Sequence, residues 1–575
     1  MTRRPRLHVS SCNNNKVVPT AAANDDWKLD RRNLLVGLGG VYGYGALNPL
    51  LASADPINGP DISSCGPIDL PDSVDKLITN CCPPVPARIV DFNQLRLPPR
   101  SAAPLRVRRP AHLVANDEAY MDKFTRAVEL MKALPDDDPR SFLNQANVHC
   151  AYCSGTYDQA GFPGVELSVH WSWLFHPFHR CYLYFFEKIL GKLIDDPTFA
   201  MPFWNWDHPD GMQMPSIYTA DPNSPLYDRF RDPKHMPPTI VDFDYDYISH
   251  SSILDAQQLM SQNLTMMYRQ LVSLGPSART FLGSPCRAGD DPTPGAGSLE
   301  YVPHGNIHTW IGDWSQPYGE DMGAFYSAGR DIIFHAHHGN IDRMWEIWKT
   351  LGGRRRNFSD PDWLDSSLLF YDENAQMVRI KVRDCLDTRD LGYVYQDVEI
   401  PWLNSRPTPR ASNNRVLRKA KKFAADAGTD TPAAADKVFP RRLDKVVRAT
   451  VRRPTRGKHK RNNEEEEEEE ILVIEGVEVE KDVYVKFDVL VNEEDEAMAT
   501  PKHTEFCGSF VSVPHGGGHH HHKQQKMIKT EMRLTITELL EDLNAENDDQ
   551  ILVTLVPKTG CEGVKIGGLK IVFDS

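Results

Sequence analysis

Residues 303–310 read PHGNIHTW, and residues 335–345 read HAHHGNIDRMW. His304 and His308 are four residues apart, so on an α-helix their side chains point in directions that differ by about 40° and can bind one metal ion. His338 would come from a second helix, whose aromatic residues supply a buried face. Three histidines on two facing helices predict a metal site in the core of a helical bundle.

A second group of histidines lies upstream, within the stretch VHWSWLFHPFHRCYLYFFEKIL of residues 169–190. His170 and His179 are nine residues apart, which would put them about 180° apart on one straight helix. Pro177 resolves this conflict, because proline suits the first turn of a helix and pushes the residue before it toward extended geometry. We therefore expect His170 in the approach to a helix, His179 on that helix, and His149 on the helix before it.

Two groups of three histidines favour a site with two metal ions over a site with one. Neutral imidazole suits copper, zinc or iron, and three nitrogens per metal leave positions open for an exogenous ligand. His176, His335 and His337 crowd the same segments, and spacing alone does not exclude them as ligands. A zinc peptidase would need glutamate directly after His304, where this chain has Gly305.

Length and composition are those of a globular protein. The chain has 575 residues, of which 40% are hydrophobic, enough to bury a sizeable core. Its formal net charge is -14, and much of this negative charge comes from the run Glu464–Glu470. No basic recognition face is evident, so we expect no nucleic-acid partner.

Residues 1–54 predict a bipartite targeting presequence, first for the plastid (chloroplast) and then for the thylakoid lumen. Basic residues precede the first acidic one, Asp25, and an arginine pair leads into the apolar run of residues 34–51. Five glycines make this run too weak for a membrane span, and the sequence Ala-Ser-Ala suits cleavage after Ala54. We expect no integral membrane segment in the mature form; because the presequence is short for two signals, a start farther upstream stays open.

The rest of the chain divides into three parts. Residues 55–403 are predicted to form a metal-binding catalytic domain that begins with an arm rich in proline. Residues 404–438 are first basic and then poor in residues that could pack, as expected of a cleavable linker. Residues 439–575 alternate apolar and polar side chains and contain many glycines, which predicts a separate, smaller β domain.

Four cysteines, Cys65, Cys81, Cys82 and Cys150, cluster around the arm. Neighbouring cysteines do not easily bridge each other, so Cys81 and Cys82 would each pair elsewhere and staple the arm to the core. Such pairing indicates an oxidising compartment. Four reduced, buried thiols are the alternative.

The motifs together resemble plant polyphenol oxidases, the tyrosinase and catechol oxidase family of dicopper enzymes. The resemblance spans most of the chain and is carried by CGPIDLP at 65–71, CCPP at 81–84, VHCAYCSG at 148–155, VHWSWLFHPFHRCYLYFFEKILG at 169–191, PHGNIHTWIGDW at 303–314, HHGNIDRMW at 337–345, YVY at 393–395 and KFDVLVN at 486–492. It implies a mainly α catalytic domain with a four-helix bundle around a dicopper site, followed by a C-terminal domain that resembles a β-sandwich.

The resemblance also implies which side chains bind the two copper ions of a binuclear type 3 centre. The first copper (Cu A) would be bound by His149, His170 and His179, and the second (Cu B) by His304, His308 and His338. The resemblance makes His337 a neighbour that does not bind copper, and His176 and His335 packing residues.

By the same resemblance, Cys153 would form a thioether bond to His170, which would fix the orientation of that ring. A buried free thiol is the alternative at Cys153. The implied disulfides are Cys65–Cys82 and Cys81–Cys150.

Five further residues have roles that the resemblance implies. Phe325 matches an aromatic gate over the second copper, and Glu300 a carboxylate that holds a water near the substrate hydroxyl; the alternative for Glu300 is an acid at a helix start. Asn340 and Asp342 lie within about one turn of His338 and would orient ligand rings by hydrogen bonds, unless Asp342 pairs only with a nearby base. Gly305 occupies a position where relatives that hydroxylate monophenols carry asparagine.

The implied reaction is oxidation of ortho-diphenols (catechols) to ortho-quinones, with reduction of O2 to water. The C-terminal domain would shield the copper entrance until a protease cuts the linker between Asn404 and Val438, so the chain would be made as a latent proenzyme. Its partners would be a small phenolic substrate, O2 and the activating protease. A tyrosinase-type enzyme that also hydroxylates monophenols and a non-catalytic dicopper protein that binds O2 are the alternatives.

Overall fold

The computed structural model describes residues 55–69, 80–95, 104–248, 254–410, 432–454, 468–497, 499–515, 517–518 and 527–574. The presequence predicted for residues 1–54 lies outside the described residues. Residues 411–431 of the predicted linker also lie outside them.

Helices dominate the first two thirds of the described chain. In chain order the α-helices are α1 Ala111–Val114, α2 Glu118–Lys132, α3 Phe142–Cys153, α4 Phe175–Leu193, α5 Ser216–Thr219, α6 Ala256–Tyr268, α7 Ala278–Leu282, α8 Asn306–Ile311, α9 Phe325–Ala328, α10 Ile333–Thr350, α11 Pro361–Asp365, α12 Ala435–Val438 and α13 Thr537–Asp542. Two π-helical stretches, Arg269–Ser273 and Glu300–Gly305, directly follow α6 and precede α8.

Local sequence explains where the long helices begin. Asp117 caps α2 by accepting a hydrogen bond from the backbone N–H of Tyr120, and Ser141 caps α3 through the N–H of Asn144. Helix α4 begins at Phe175, two residues before Pro177, which therefore lies in the first turn, where a missing N–H costs nothing. Its aromatic side chains are buried on nearly all sides, so α4 runs through the core.

Short strands accompany the helices. They are β1 Pro60–Asp61, β2 Ile68–Asp69, β3 Ile89–Asp91, β4 Arg106–Arg108, β5 Asp158–Gln159, β6 Phe162–Glu166, β7 Ser367–Tyr371, β8 Met377–Lys381 and β9 Tyr393–Tyr395. Two disulfides hold the arm: Cys65–Cys82 links two parts of the arm to each other, and Cys81–Cys150 joins the arm to α3. Cys65 and Cys82 are paired with their Cα atoms 5.8 Å apart, and Cys81 and Cys150 with theirs 5.4 Å apart.

The C-terminal part is rich in β-sheet. Its strands are β10 Arg441–Arg442, β11 Val447–Arg452, β12 Glu469–Glu480, β13 Val485–Val491, β14 Phe506–Ser512, β15 Gly517–Gly518, β16 Met527–Thr535, β17 Gln550–Thr559, β18 Lys565–Ile566 and β19 Gly568–Asp574. One sheet has the order β10-β18-β12-β16, with β19 also paired to β12, and the other has the order β11-β17-β13-β14. All pairs within these two sheets are antiparallel.

The helical part and the sheets share one hydrophobic core. Every residue of β13 and of β14 is buried, which an exposed sheet face would not allow. Lys486 of β13 bonds to Asp244 of the helical part at 2.8 Å, and Arg269 donates to the carbonyl oxygen of His503 at 2.8 Å. A helical core followed by a sheet-rich C-terminal region is thus confirmed, and the four-helix bundle stays a prediction. No helix among the described residues is long and apolar enough to cross a membrane.

Candidate metal centre

Four segments bring the six predicted ligands together. His149 lies on α3, His170 in the turn before α4, and His179 on α4. His304 lies in the π-helical stretch two residues after its kink at Val302, and the helical backbone continues from there through Gly305 into α8, which carries His308. His338 lies on α10.

The rings within each triad are close neighbours. Ring centroids are 5.7 Å apart for His149 and His170, 5.6 Å for His149 and His179, and 5.3 Å for His170 and His179. In the second triad the distance is 4.6 Å between His304 and His308. His338 lies 5.1 Å from His304 and 5.4 Å from His308.

The two triads face each other across one small space. The ring of His179 stacks on that of His338 at 4.1 Å, and the ring of His170 lies 5.8 Å from that of His304. All six histidines are buried. Two groups of three imidazoles, each able to bind one metal ion, therefore lie side by side in a single buried pocket.

Four of the six Nε2 atoms in this pocket have no partner in the described residues. Those of His149, His170, His179 and His304 are buried and make no hydrogen bond within the described residues. The Nε2 atoms of His308 and His338 lie 3.2 Å apart and point at each other. Because an unpaired buried polar atom is costly, four unpaired nitrogens beside two that contact only each other fit a bound metal better than an empty core. An all-imidazole donor set suits copper, zinc or iron.

Backbone carbonyl groups fix the orientation of four of the rings. The Nδ1–H of His149 donates to the carbonyl oxygen of Phe325 at 3.0 Å, and that of His179 to Phe175 at 2.8 Å. The Nδ1–H of His304 donates to Glu300 at 3.0 Å, and that of His308 to Met322 at 2.8 Å. Each bond fixes the tautomer that leaves the Nε2 lone pair free for a metal.

The prediction that Asn340 and Asp342 orient ligand rings is wrong for the described structure. Asn340 donates to Asp207 at 2.9 Å. Asp342 accepts from Arg180 at 2.5 Å and from the hydroxyl groups of Tyr393 and Tyr395 at 2.6 Å each. The partners of both side chains are thus residues other than the six histidines. The histidine rings are oriented by main-chain carbonyl oxygens.

Burial keeps the imidazoles neutral. It lowers the pKa of His179 to about 3 and that of His308 to about 4, and the pKa values of the other four fall well below the ordinary value. Neutral imidazole is the form that binds metals.

The other three histidines differ in position. His337 lies close to the second triad, since its ring nitrogens and those of His304, His308 and His338 fall within 4.8 Å of one another. His176 stacks on Phe281 at 5.0 Å, and His335 on Phe186 at 3.6 Å. Distance therefore leaves His337 as a rival ligand, whereas His176 and His335 pack against other aromatic rings.

Phe325 lies against the first triad, whereas the family resemblance had implied a position over the second copper. Its ring stacks on that of His170 at 4.0 Å with an angle of 3° between the planes. The nearest ring of the second triad is that of His308, at 5.5 Å and nearly perpendicular. Phe325 begins α9, and the carbonyl bond to His149 holds it on this side.

Glu300 lies beside the first triad. Its Oε1 accepts a hydrogen bond of 2.7 Å from the backbone N–H of Trp171, and its Oε2 is buried without a partner in the described residues. Burial raises the pKa of this carboxyl group well above the usual value. Trp171 has a left-handed backbone with φ of 63°, rare for a bulky residue, directly after His170. No sequence pattern indicated this constraint.

Cys153 lies one helical turn after His149 on α3. Its sulfur and the ring nitrogens of His149 and His170 lie within 4.8 Å of one another. His170 differs from four of the other ligands because its Nδ1 has no hydrogen-bond partner in the described part of the chain.

The C-terminal part covers this pocket. The carbonyl oxygen of Pro514 accepts a 2.9 Å bond from the backbone N–H of Phe325. The ring of His515 lies 4.7 Å from that of Phe325 and 6.0 Å from that of His170. Val511 of β14 packs on Gly305. Sequence periodicity predicted a β domain in this part of the chain and gave no indication of what its strands cover.

Family models match three consecutive regions of the chain. Residues 139–351 match the common central domain of tyrosinase, residues 357–408 the polyphenol oxidase middle domain, and residues 439–573 the chloroplastic polyphenol oxidase C-terminal domain. The first region contains all six predicted ligands.

Curated relatives match over nearly the whole chain. A chloroplastic polyphenol oxidase of Malus domestica is 56% identical over 95% of this chain and 90% of its own length. Aureusidin synthase of Antirrhinum majus is 54% identical over 91% of this chain and 90% of its own. The chloroplastic (+)-larreatricin hydroxylase of Larrea tridentata is 49% identical over 99% and 94%.

Solved structures agree with these matches. The structure of latent apple tyrosinase has a TM-score of 0.76 at 56% identity and covers 85% of this chain and 100% of its own. Latent aurone synthase has a TM-score of 0.78 at 40% identity and covers 90% and 99%. The matched family and the histidine groups indicate a copper centre. The chain belongs to the plant polyphenol oxidase family, whose central domain is that of tyrosinases.

Proposed function

We propose that the chain is a latent dicopper oxidase that converts ortho-diphenols to ortho-quinones and reduces O2 to water. The observation that carries this proposal is the pair of adjoining triads in which four buried Nε2 atoms have no partner in the described residues and the other two contact only each other. Three donors per metal leave room for O2 and a phenol, which a closed structural site would not.

The ligands of the first copper are His149, His170 and His179, and those of the second are His304, His308 and His338. The ring distances within each triad and the free Nε2 atoms support these sets. His337 stays outside the second set because the resemblance to the family implies a neighbour there that does not bind copper.

The protein's own groups prepare the site before any reaction. When bound, the copper pair supplies the two-electron chemistry between a phenol and O2. The buried pocket keeps the imidazoles neutral, and the main-chain carbonyls hold each ring in one orientation. Little reorganisation is then needed when metal binds.

On the substrate side, Phe325 and Glu300 have separate roles. The flat ring of Phe325 over His170 offers an aromatic surface for the substrate ring. The free Oε2 of Glu300 holds a water that receives the phenolic proton, and its raised pKa makes the carboxylate a stronger base.

Cys153 would form a thioether bond with His170 in a two-electron oxidation in which the thiol and one ring carbon each lose a hydrogen, with the O2 of the proposed reaction as the oxidant. The support is their proximity and the absence of a described hydrogen-bond partner at Nδ1 of His170. The covalent bond would replace the hydrogen bond that orients the other rings. A mass 2 Da lower for the peptide pair, about the mass of the two hydrogens lost, would demonstrate it.

Latency follows from the cover formed by residues 511–515 and from the predicted linker of residues 404–438. A plastid protease would cut this linker; the names of relatives support the plastid, and the thylakoid lumen is our proposal from the N-terminal residues. Cutting should raise catechol turnover, and no rise after clean cleavage between Asn404 and Val438 would contradict the proposal.

Monophenol hydroxylation is the second candidate activity, favoured by the larreatricin hydroxylase relative. Gly305 argues against it, because the asparagine associated with hydroxylation in the family is absent. We propose weak or no monophenol activity, and fast, lag-free hydroxylation of tyrosine by cut protein would overturn this.

The main experiment combines metal analysis with turnover. The purified chain should bind two copper ions, and His308→Ala should retain fewer while His335→Ala, a matched buried histidine, retains both. Cut wild-type protein should then oxidise catechol with consumption of O2. Reversible O2 binding without quinone would favour the alternative of a dicopper O2-binding protein.

A further inference from the structure

Gly305 adopts a conformation that does not require glycine. Its φ of -60° and ψ of -39° are helical values that every L-amino acid adopts. The reason for a glycine at this position must therefore be the space around its Cα.

The space beside Gly305 is filled by the C-terminal part. A Cβ atom at residue 305 would lie 2.9 Å from Cγ1 and 3.5 Å from Cβ of Val511, and 3.6 Å from Cγ2 of Val513. These are its three nearest atoms once its chain neighbours and its own helix are set aside. Since carbon atoms pack at about 3.5–4.0 Å, the shortest of these contacts cannot persist.

Val511 has little freedom to retreat. It is buried in β14, where it pairs with Lys486 of β13, and β13 is paired on its other side with β17. A valine side chain can only rotate about χ1, and its Cβ at 3.5 Å is fixed by the strand. A methyl group at 305 therefore has to turn the buried Val511 side chain out of its rotamer or shift β14.

The neighbours of Val511 hold the strand close to the metal centre. Phe510 packs on Trp171 at 5.2 Å and on Tyr301 at 5.4 Å. Two residues beyond β14, Pro514 accepts the bond from Phe325. Displacement of Val511 would strain these contacts together, and they are the contacts that close the pocket.

We propose that the absence of a side chain at residue 305 is required for the C-terminal part to close over the metal centre. The inference rests on the proposed function and deepens its regulation. The position that the family resemblance connects with phenol selectivity is, in this chain, also a docking position for Val511. A substitution that adds a side chain at residue 305, even one that broadens the range of phenols, therefore weakens latency.

The test compares full-length Gly305→Ala with the wild type, before and after the linker is cut. The variant should raise the ratio of uncut to cut catechol turnover about tenfold, the order expected when one methyl group overpacks a closed interface. Hydrogen exchange of residues 506–512 in uncut protein should become faster, because exchange follows local opening.

Two double variants supply the control. Gly305→Ala with Val511→Ala removes the atom at 2.9 Å and should restore slow exchange and low uncut turnover. Gly305→Ala with Val513→Ala removes only an ordinary contact of 3.6 Å and should not. Unchanged exchange in Gly305→Ala, or equal effects of the two double variants, would overturn the proposal. If cut wild type fails to oxidise catechol, the proposed function fails, and the exchange data still decide whether residue 305 controls docking.

Discussion

Removal of the Cys81–Cys150 disulfide should destabilise the protein more than removal of Cys65–Cys82. A disulfide limits the freedom of the unfolded chain, and the effect grows with the logarithm of the loop it closes. The two bonds span 69 and 17 residues, which gives about 4.4 and about 3.1 kcal/mol of unfolding free energy in the chain-entropy relation. The difference, about 1.3 kcal/mol, is the quantity to test.

The assay is urea unfolding of the full chain without metal, followed by tryptophan fluorescence. Cys81→Ser with Cys150→Ser should have a lower midpoint than Cys65→Ser with Cys82→Ser. Cys286→Ala, which removes a buried free thiol and opens no loop, is the control for loss of a cysteine. An equal or larger loss for the pair that closes the shorter loop would refute the entropic reasoning.

The Cys81–Cys150 disulfide, which closes the longer loop, should also affect the metal centre. Cys150 directly follows His149 on α3, so this bond ties the arm to a helix that bears a proposed ligand. Its loss should lower copper retention in dialysis against a chelator more than loss of Cys65–Cys82 does. Equal retention would show that the packing of α3 alone positions His149.

Three further predictions concern stability. Burial raises the pKa of Asp242 to about 6, so its carboxylate destabilises the fold above that pH, and the free energy of unfolding should increase as the pH falls from 6 toward 4. Asp242→Asn should raise the free energy of unfolding at pH 7 by about 1–3 kcal/mol and abolish that pH dependence. Asp207→Ala should cost about 3–5 kcal/mol in urea unfolding because it leaves the guanidinium of Arg343 buried without its partner, whereas Glu129→Gln at an exposed pair should have no measurable effect. Chelation should lower the melting temperature and added copper should restore it, because a ligand that binds only the folded state stabilises that state.

Periodicity and motif spacing predicted much of the fold and the two histidine groups. The strands of the C-terminal part, such as β13, follow from the local alternation of apolar and polar residues. Proline 177 indicated that His170 and His179 lie on different elements, and they do. These features depend on residues near one another in sequence, where side-chain chemistry has a fixed geometric consequence.

The parts that sequence did not predict depend on main-chain groups and on distant packing. The carbonyl groups that orient the rings come from Phe175, Glu300, Met322 and Phe325, and a carbonyl group is the same in every residue type. No motif can therefore indicate them. The sequence shows that residue 305 is a glycine, but it does not show that Val511 lies beside it, because that contact forms only when β14 docks on the helical part.

The backbone of Phe325 joins the two halves of the molecule at the metal centre. Its N–H donates to Pro514 of the C-terminal part, and its carbonyl oxygen accepts from Nδ1 of His149. One residue thus contacts the cover through one peptide group and a proposed copper ligand through the next. The side chain of Phe325 also stacks on His170, so Phe325 stays with the first triad. When the cover moves away, the bond from the Phe325 N–H to Pro514 breaks, and that N–H, which is buried in the closed form, loses its partner. Opening therefore has to expose Phe325 to water or to substrate, which is where a phenol would be expected to bind.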